Sequence, residues 1–232
     1  MFQSLVSGED VFLSSMVRPD ITKTVCISGH RESKITPYQN NRLYKELTCS
    51  VVRLMLYRYI DMAVEAGYET FISGLAEGVD LWSAEYVVRK KQNNSSIRLI
   101  SMMPFLRHAE NYPWAERYVL AGIERASDYI LTVDGNPKMT YGKYVTEFTS
   151  PDLYRRRNYE MVDRSSAVIA FRNENIKTSG TFQTLNYAMR SGRKIYSFSM
   201  KDVHNIIDRL GYDVRSIGEY IAGLKNIFSP PH

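Results

Sequence analysis

Four short segments hold most of the residues in this chain that could meet a polar ligand. They are Gly29-His30-Arg31, the run from Ser73-Gly74 to Glu77-Gly78-Val79-Asp80, Pro104-Phe105, and Ser179-Gly180-Thr181. Glycine lets backbone N–H groups approach a ligand, and a helix that starts at such a turn presents its positive dipole end to an anion. Arg31 adds a planar guanidinium suited to phosphate oxygens, and His30 adds a ring that titrates near neutrality. Recognition of an anionic small molecule is the chemistry these residue types allow. Asp80 limits that reading, because a carboxylate in a first helical turn competes for the dipole end a bare phosphate would use. The run 73–80 therefore suits a sugar hydroxyl, or serves the turn alone. Each segment also has an ordinary structural use: glycines for turns with positive φ, Ser179 and Thr181 for helix capping, Asp80 for a helix N-terminus, His30 for a backbone carbonyl.

What is missing narrows the field. The sequence has no GxGxxG, no GxxxxGK[ST], no GxSxG and no HExxH, so the common dinucleotide, P-loop, serine-hydrolase and zinc-protease mechanisms have no local signature. Its only cysteines, Cys26 and Cys49, stand apart from each other and from histidine, which gives no metal site and suits a reducing compartment. No metal or other cofactor is expected. Glu9 and Asp10 interrupt the first residues, and no apolar run reaches the length of a membrane span. A cytoplasmic protein without a membrane partner follows as the expectation. The net charge of +5 is spread along the chain except at Arg155-Arg156-Arg157, with Arg164 beyond. Such mild basicity permits an anionic ligand and does not demand nucleic acid.

The elements that must position these residues are legible as an alternation. Short apolar runs at 23–28, 69–73, 97–102, 129–133, 166–171 and 194–199 read as strands. Helical patterns lie between them at about 39–66, 78–91, 113–126, 153–165 and 181–191. The longest sets Leu43, Leu47, Val51, Met55, Tyr59 and Met62 on one face, and Gly67 closes it. This alternation predicts an α/β, Rossmann-like, doubly wound and mostly parallel sheet with helices on both faces. Residues 23–200 form that domain, 1–22 an N-terminal extension and 201–232 a C-terminal helical extension. The stretch 104–150 carries one strand, two prolines with nearby aromatics and the turn Gly135-Asn136-Pro137, a pattern of binding loops or lids, or otherwise of mobile surface. In such a sheet, ligands sit beyond the carboxyl ends of the strands, and that is where the four segments fall.

Four longer motifs in the same order resemble a known superfamily. "ISGHR" after the first main strand, "SGLAEGVD" after the second, "RRRNYEMVDRSSAVIAF" entering the fifth and "SGTFQTLNYAMRSGRKIY" after it resemble the Smf/DprA and lysine-decarboxylase-like proteins, called SLOG. Within it the chain is most similar to the YpsA-type family of uncharacterised proteins, which share the GHR turn, the glycine-acid turn, Pro-Phe after the third strand and a tryptophan soon after, here Trp114. The resemblance covers residues 23–200 and implies the SLOG fold. In DprA, "SGLARGID" and an arginine-asparagine pair belong to a single-stranded DNA-binding core; Ser73–Asp80 and Arg157-Asn158 match them. In the lonely-guy phosphoribohydrolases, an arginine matching Arg157 and a glutamate three residues past a Gly-Thr pair act on the ribose phosphate. Here Gly180-Thr181 is followed at that spacing by Thr184, beside the uncharged Gln183, and the full PGGxGTxxE motif is absent. An oxocarbenium-like transition state needs a nearby carboxylate, so the resemblance does not extend to hydrolysis by that route.

The resemblance thus implies a site made of Gly29, His30, Arg31, Ser73, Gly74, Glu77, Gly78, Asp80, Arg157, Asn158, Ser179, Gly180 and Thr181. Glu77 to Asp80 would face the ribose or base, while Gly29–Arg31 and Ser179–Thr181 would face phosphate, with charge from Arg31 and Arg157. On this reading, removing Arg157 weakens binding and leaves stability almost unchanged. The expected function is binding or sensing of a nucleotide or nucleotide-derived small molecule. The alternatives are an enzyme that cleaves an N-glycosidic bond, using Glu77, Asp80, Glu160 or Asp163, and a DprA-like single-strand binder. Nucleic acid is the weaker partner, since no basic stripe is interleaved with aromatics. A homo-oligomer is also allowed.

Overall fold

Strands covered by helices on both faces have no polar side to show, so they read as unbroken apolar runs. The computed structural model describes residues 11–36, 39–140 and 149–231. Its strands are β1 (Phe12–Leu13), β2 (Thr24–Ser28), β3 (Thr70–Ser73), β4 (Arg98–Met103), β5 (Tyr129–Thr132), β6 (Ala167–Arg172) and β7 (Lys194–Ser199). The helices are α1 (Arg42–Ala66), α2 (Val79–Asn93), α3 (Trp114–Ala126), α4 (Ser150–Asp163), α5 (Gly180–Arg190), α6 (Met200–Leu210) and α7 (Val214–Ala222). The six expected strands are all present, each within a residue of its predicted bounds. The seventh, β1, pairs with β5 at one edge. Residues 1–10 of the N-terminal extension and 141–148 of the expected long loop lie outside the described residues.

The sheet runs β1-β5-β4-β3-β2-β6-β7, and every pairing is parallel. The chain steps outward from β2 through β3 and β4 to β5, then returns to lay β6 on the other side of β2. Right-handed crossovers therefore put α1, α2 and α3 on one face and α4 and α5 on the other. Side chains follow this division. Val25, Ile27, Phe71, Leu99 and Ile169 join the core under α1, α2 and α3, with α6 and α7 added beside α1. Cys26, Ile72, Ile100, Val168 and Ala170 alternate to the core under Met161 and Val162 of α4 and Ala188 of α5. The strand order reverses between β2 and β6, and the loops leaving those strands diverge to opposite faces.

Helix ends are set locally. Asn41 caps α1 by accepting the Tyr44 N–H at 3.1 Å, and Gly67 closes it at φ 102°. Of the face expected on α1, Leu47, Val51, Met55, Tyr59 and Met62 are buried, whereas Leu43, in the first turn, is exposed. Helix α4 begins three residues before its expected start, because Thr149 and Asp152 form a capping box around Pro151. Among the described residues no helix is long and apolar enough to cross a membrane.

Candidate functional site

The run 73–80 folds into a turn held by its own side chains. Ser73 Oγ donates to the Asp80 carbonyl at 2.7 Å and accepts the Leu75 N–H at 3.3 Å. Ser83 Oγ donates to the same Asp80 carbonyl at 2.7 Å. Leu75 sits at φ 57°, a left-handed conformation that a branched residue adopts only when its surroundings hold it there. Gly78, at φ 86°, needs to be glycine for two reasons: its backbone, and the space where a Cβ would meet the His30 carbonyl oxygen at 2.7 Å and the Glu32 nitrogen at 2.6 Å. The β2 and β3 loops are thus interlocked, with the Val79 N–H donating to the His30 carbonyl at 3.3 Å.

Arg157 closes this arrangement from below. It reaches from α4 to the turn, where Nη1 donates to the Gly74 carbonyl and lies 3.7 Å from Asp80 Oδ2. Asp80 Oδ1 accepts the Gly29 N–H at 3.3 Å. Arg157 is 3% exposed and Asp80 6%. Burial pushes the Asp80 carboxyl up to about 6, against the opposing pull of the Arg157 cation and the Gly29 and Ala76 N–H groups. A Cβ on Gly74 would collide with the Arg157 guanidinium, so this glycine gives room to an internal ion pair. Arg31 and Glu77, 3.8 Å apart and partly exposed, stand outside it.

The segment after β4 covers the same turn. Tyr112 Oη donates to the Leu75 carbonyl at 3.2 Å. His108, fully enclosed, packs edge-on to Tyr112, and neither ring nitrogen has a hydrogen-bond partner among the described residues. Burial, and then the Arg157 cation, pushes His108 down to about 3, although backbone groups of Phe105 and Leu75 lie near enough to favour a proton. The Tyr154 ring lies 5.7 Å from the Arg157 guanidinium.

A cavity of about 330 Å³ opens elsewhere on the same edge, where the strand order reverses. It reaches from His30, beyond β2, past Arg172 and Asn173 at the end of β6, to Ser197 and Ile195 on β7. Ser179, the cap of α5, lines it and accepts the Phe182 N–H at 3.1 Å. Phe182, Leu185 and Met189 of α5 form an apolar wall, and Lys177 and Arg172 add exposed cations. As in any helix, the first N–H groups of α5 have no intrahelical acceptor.

The candidate residues therefore fall into two groups. Gly29, Ser73, Gly74, Gly78, Asp80 and Arg157 make the interlocked turn, with Arg31 and Glu77 at its outer side. His30 and Ser179 line the cavity, Gly180 and Thr181 follow Ser179 directly, and Asn158 lies beside Gly180, 3.6 Å from where a Cβ would stand. Glu160 does not share the face of Arg157: it pairs with Arg156 and Arg164, while Asp163 accepts from Tyr187 Oη. Sequence reasoning passed over His108, Tyr112 and Tyr154 around the turn, and Arg172 and Asn173 in the cavity. Arg172 closes β6, where the strand-end rule points, and His108 follows β4 much as His30 follows β2. Among the described residues no group of three or more His, Cys, Asp or Glu is placed to hold a metal ion.

Comparison with known proteins finds a family, curated relatives and a solved structure to which the chain is similar. The profile of the YspA SLOG family matches residues 25–206. A UPF0398 protein of Halalkalibacterium halodurans is 21% identical over 184 residues, covering 79% of this chain and 90% of its own. One from Bacillus cereus is 24% identical over 152 residues, 66% of this chain and 75% of its own. Among solved structures, DNA processing protein A (DprA) from Streptococcus pneumoniae superposes with a TM-score of 0.43 at 20% identity, over 82% of this chain and 58% of that one.

Proposed function

The chain belongs to the YspA SLOG family, and from that premise we propose that it binds a nucleotide or nucleotide-derived small molecule at the carboxyl edge of its sheet without cleaving it. Family membership supports a nucleotide-related or nucleic-acid-binding role in general. The observation that carries the narrower reading is the cavity at the reversal of strand order. Its volume of about 330 Å³ lies within the range of small-ligand sites, and its lining joins an apolar wall to a few polar groups and two exposed cations. That mixture suits a molecule with a planar uncharged part and an anionic part. An extended nucleic-acid strand would call for a basic groove with stacking aromatics along it.

The absence of cleavage follows from the carboxylates. Thr184 occupies the position where the resemblance calls for a glutamate, and its Oγ1 donates to the Gly180 carbonyl at 2.8 Å. Glu174, the carboxylate that lines the cavity, accepts the Met200 and Lys201 N–H groups at the start of α6. A thermal-shift screen of the full chain against nucleoside monophosphates and dinucleotides tests the proposal. A binding nucleotide at 100 times its Kd raises stability by about 2.7 kcal/mol. Uniformly flat melting curves would refute the reading.

A further inference from the structure

His30 and the cavity wall carry a more specific inference, which rests on the nucleotide reading above. His30 is 3% exposed, yet it lines the cavity. Its ring packs edge-on against Phe171, with centroids 6.0 Å apart and planes at 88°. An imidazole that borders open volume is placed to exchange a hydrogen bond with a molecule that enters it. The other two buried polar groups of the lining are engaged. Asn173, equally buried, donates to the carbonyls of Lys34 and Ile35 at 3.2 and 3.1 Å. Ser179 holds the Phe182 N–H, and Glu174 caps α6. His30 is left as the buried lining group that none of these bonds engages.

We propose that His30 is a specificity-determining contact for the uncharged, nucleoside end of the ligand, which enters the cavity against Phe182 and Met189 while the phosphate stays at the mouth with Arg172 and Lys177. Three features favour this orientation over phosphate inward. Burial, and then the Lys34 cation, pushes the His30 ring down to about 4, so at neutral pH it is an uncharged imidazole with one donor and one acceptor. Such a group matches a sugar hydroxyl or base edge and offers no charge to a phosphate. The cations, by contrast, are on exposed residues at the rim. Finally, Phe182 is 50% exposed and Met189 65%, apolar surface that a planar base would cover.

Isothermal titration separates these assignments. The probes are the common ribonucleoside 5′-monophosphates, their nucleosides, and inorganic phosphate, titrated into the full chain and into its His30→Phe and Arg172→Ala variants. The orientation requires that at least one nucleoside bind, and that His30→Phe weaken it and its monophosphate alike, by roughly tenfold for a lost hydrogen bond. Arg172→Ala should weaken the monophosphate and leave the nucleoside unchanged. Should His30→Phe fail to fold, Phe182→Ala substitutes, with equal losses for nucleoside and monophosphate expected. A monophosphate that binds His30→Phe as it binds the wild type, or His30-dependent binding of phosphate alone, overturns this assignment and leaves the nucleotide reading standing. Failure of every probe on the wild-type chain overturns both.

Discussion

The turn from Ser73 to Asp80 and the cavity beside α5 stand on one edge of one sheet, and their polar groups are in opposite states. In the turn, the Asp80 carboxylate, Arg157 Nη1, the serine hydroxyls and the carbonyls of Gly74 and Asp80 are paired with one another, with Asp80 set between Arg157 and the Gly29 N–H. In the cavity, an enclosed imidazole and exposed cations face open volume. The turn holds more of the glycines and charges that a sequence search selects, and its unpartnered atoms, both His108 nitrogens and Arg157 Nε, are sealed inside it, whereas the polar groups of the cavity border open volume. Residue types that suit ligands suit internal locking equally well. Burial and partnering decide between the two, and both are properties of the folded chain.

The sharpest way to break this contrast is to remove Arg157. Its loss leaves Asp80 enclosed without its cation, and taking one partner from a buried pair costs about 3–5 kcal/mol. Arg157→Ala should therefore lower the urea midpoint sharply, the reverse of the small stability effect expected when Arg157 was read from sequence as a ligand contact. Arg172→Ala, on an exposed side chain at the cavity, should stay within about 0.5 kcal/mol of wild type. If the two variants unfold at the same urea concentration, the turn is not locked by the Arg157–Asp80 pair.

Glycine substitutions sharpen the comparison on a smaller scale. Gly78→Ala puts a Cβ against the His30 carbonyl and forces a side chain into a positive-φ conformation, which should cost about 1–3 kcal/mol. Gly180→Ala meets only Asn158 Nδ2, at an ordinary 3.6 Å, and should leave the melting temperature nearly unchanged. Calorimetric melting of both variants checks the pair. A Gly180→Ala melt as low as that of Gly78→Ala would mean that the α5 start is packed as tightly as the turn.

How far the sequence carried the reading differs between fold and site, for physical reasons. Six strands were legible because each is an apolar run with helical periodicity on both sides. Strand β1 was not: Phe12–Leu13 is too short to show a period, and it exists by pairing with β5. The start of α4 was misplaced because Thr149, Pro151 and Asp152 carry a capping signal that the apolar pattern does not contain. Near the strand ends, the strand-end rule pointed to Gly29, His30, Ser179 and Gly180, of which His30 and Ser179 line the cavity. It could not tell that Arg157 points inward and Glu160 outward, since a three-residue spacing permits either face to be the buried one. His108 was missed because the residues after β4 form irregular turns whose packing onto Leu75 has no sequence period.

Acid titration separates the two regions, because at the turn His108 and Asp80 act in opposite directions while His30 in the cavity is unopposed. His30 and His108 are lowered from 6.5 to about 4 and about 3, so across the interval below 6.5 the unfolded chain binds protons that the folded chain does not, and stability rises with pH. Asp80 is raised from 3.8 to about 6, so the folded chain holds a proton that the unfolded chain has lost, and stability falls with pH over that interval. Between about pH 4 and 6 these three groups give two histidine protons against one from Asp80. Stability should then rise by about 1.4 kcal/mol per pH unit on their account. His30→Phe removes the cavity's share and should bring that slope close to zero. Urea melts at half-unit pH steps measure it, and an unchanged slope in the variant would mean that His30 is not held neutral by burial.

The smallest expected effect is on chemistry, where none is expected. Cleaving an N-glycosidic bond needs a carboxylate free to stabilise an oxocarbenium-like centre or to activate water. Asp80 is locked by Arg157 and raised toward its neutral form, and Thr184 stands where the resemblance requires a glutamate. Glu160 and Asp163 pair with neighbours on the outer side of α4 and α5. Glu174 lines the cavity but caps α6, and Glu77 faces Arg31 beside the turn. Incubating the chain with adenosine or guanosine monophosphate should therefore release no free base by chromatography, even at concentrations that saturate binding. Steady release that survived Glu174→Gln and vanished in Glu77→Gln, with affinity kept, would relocate the chemistry to the outer side of the turn. Release abolished by Glu174→Gln would place it in the cavity. Either result would show that a carboxylate engaged in the ligand-free chain is freed when the ligand arrives, and the contrast between a locked turn and an open cavity would then describe only the resting protein.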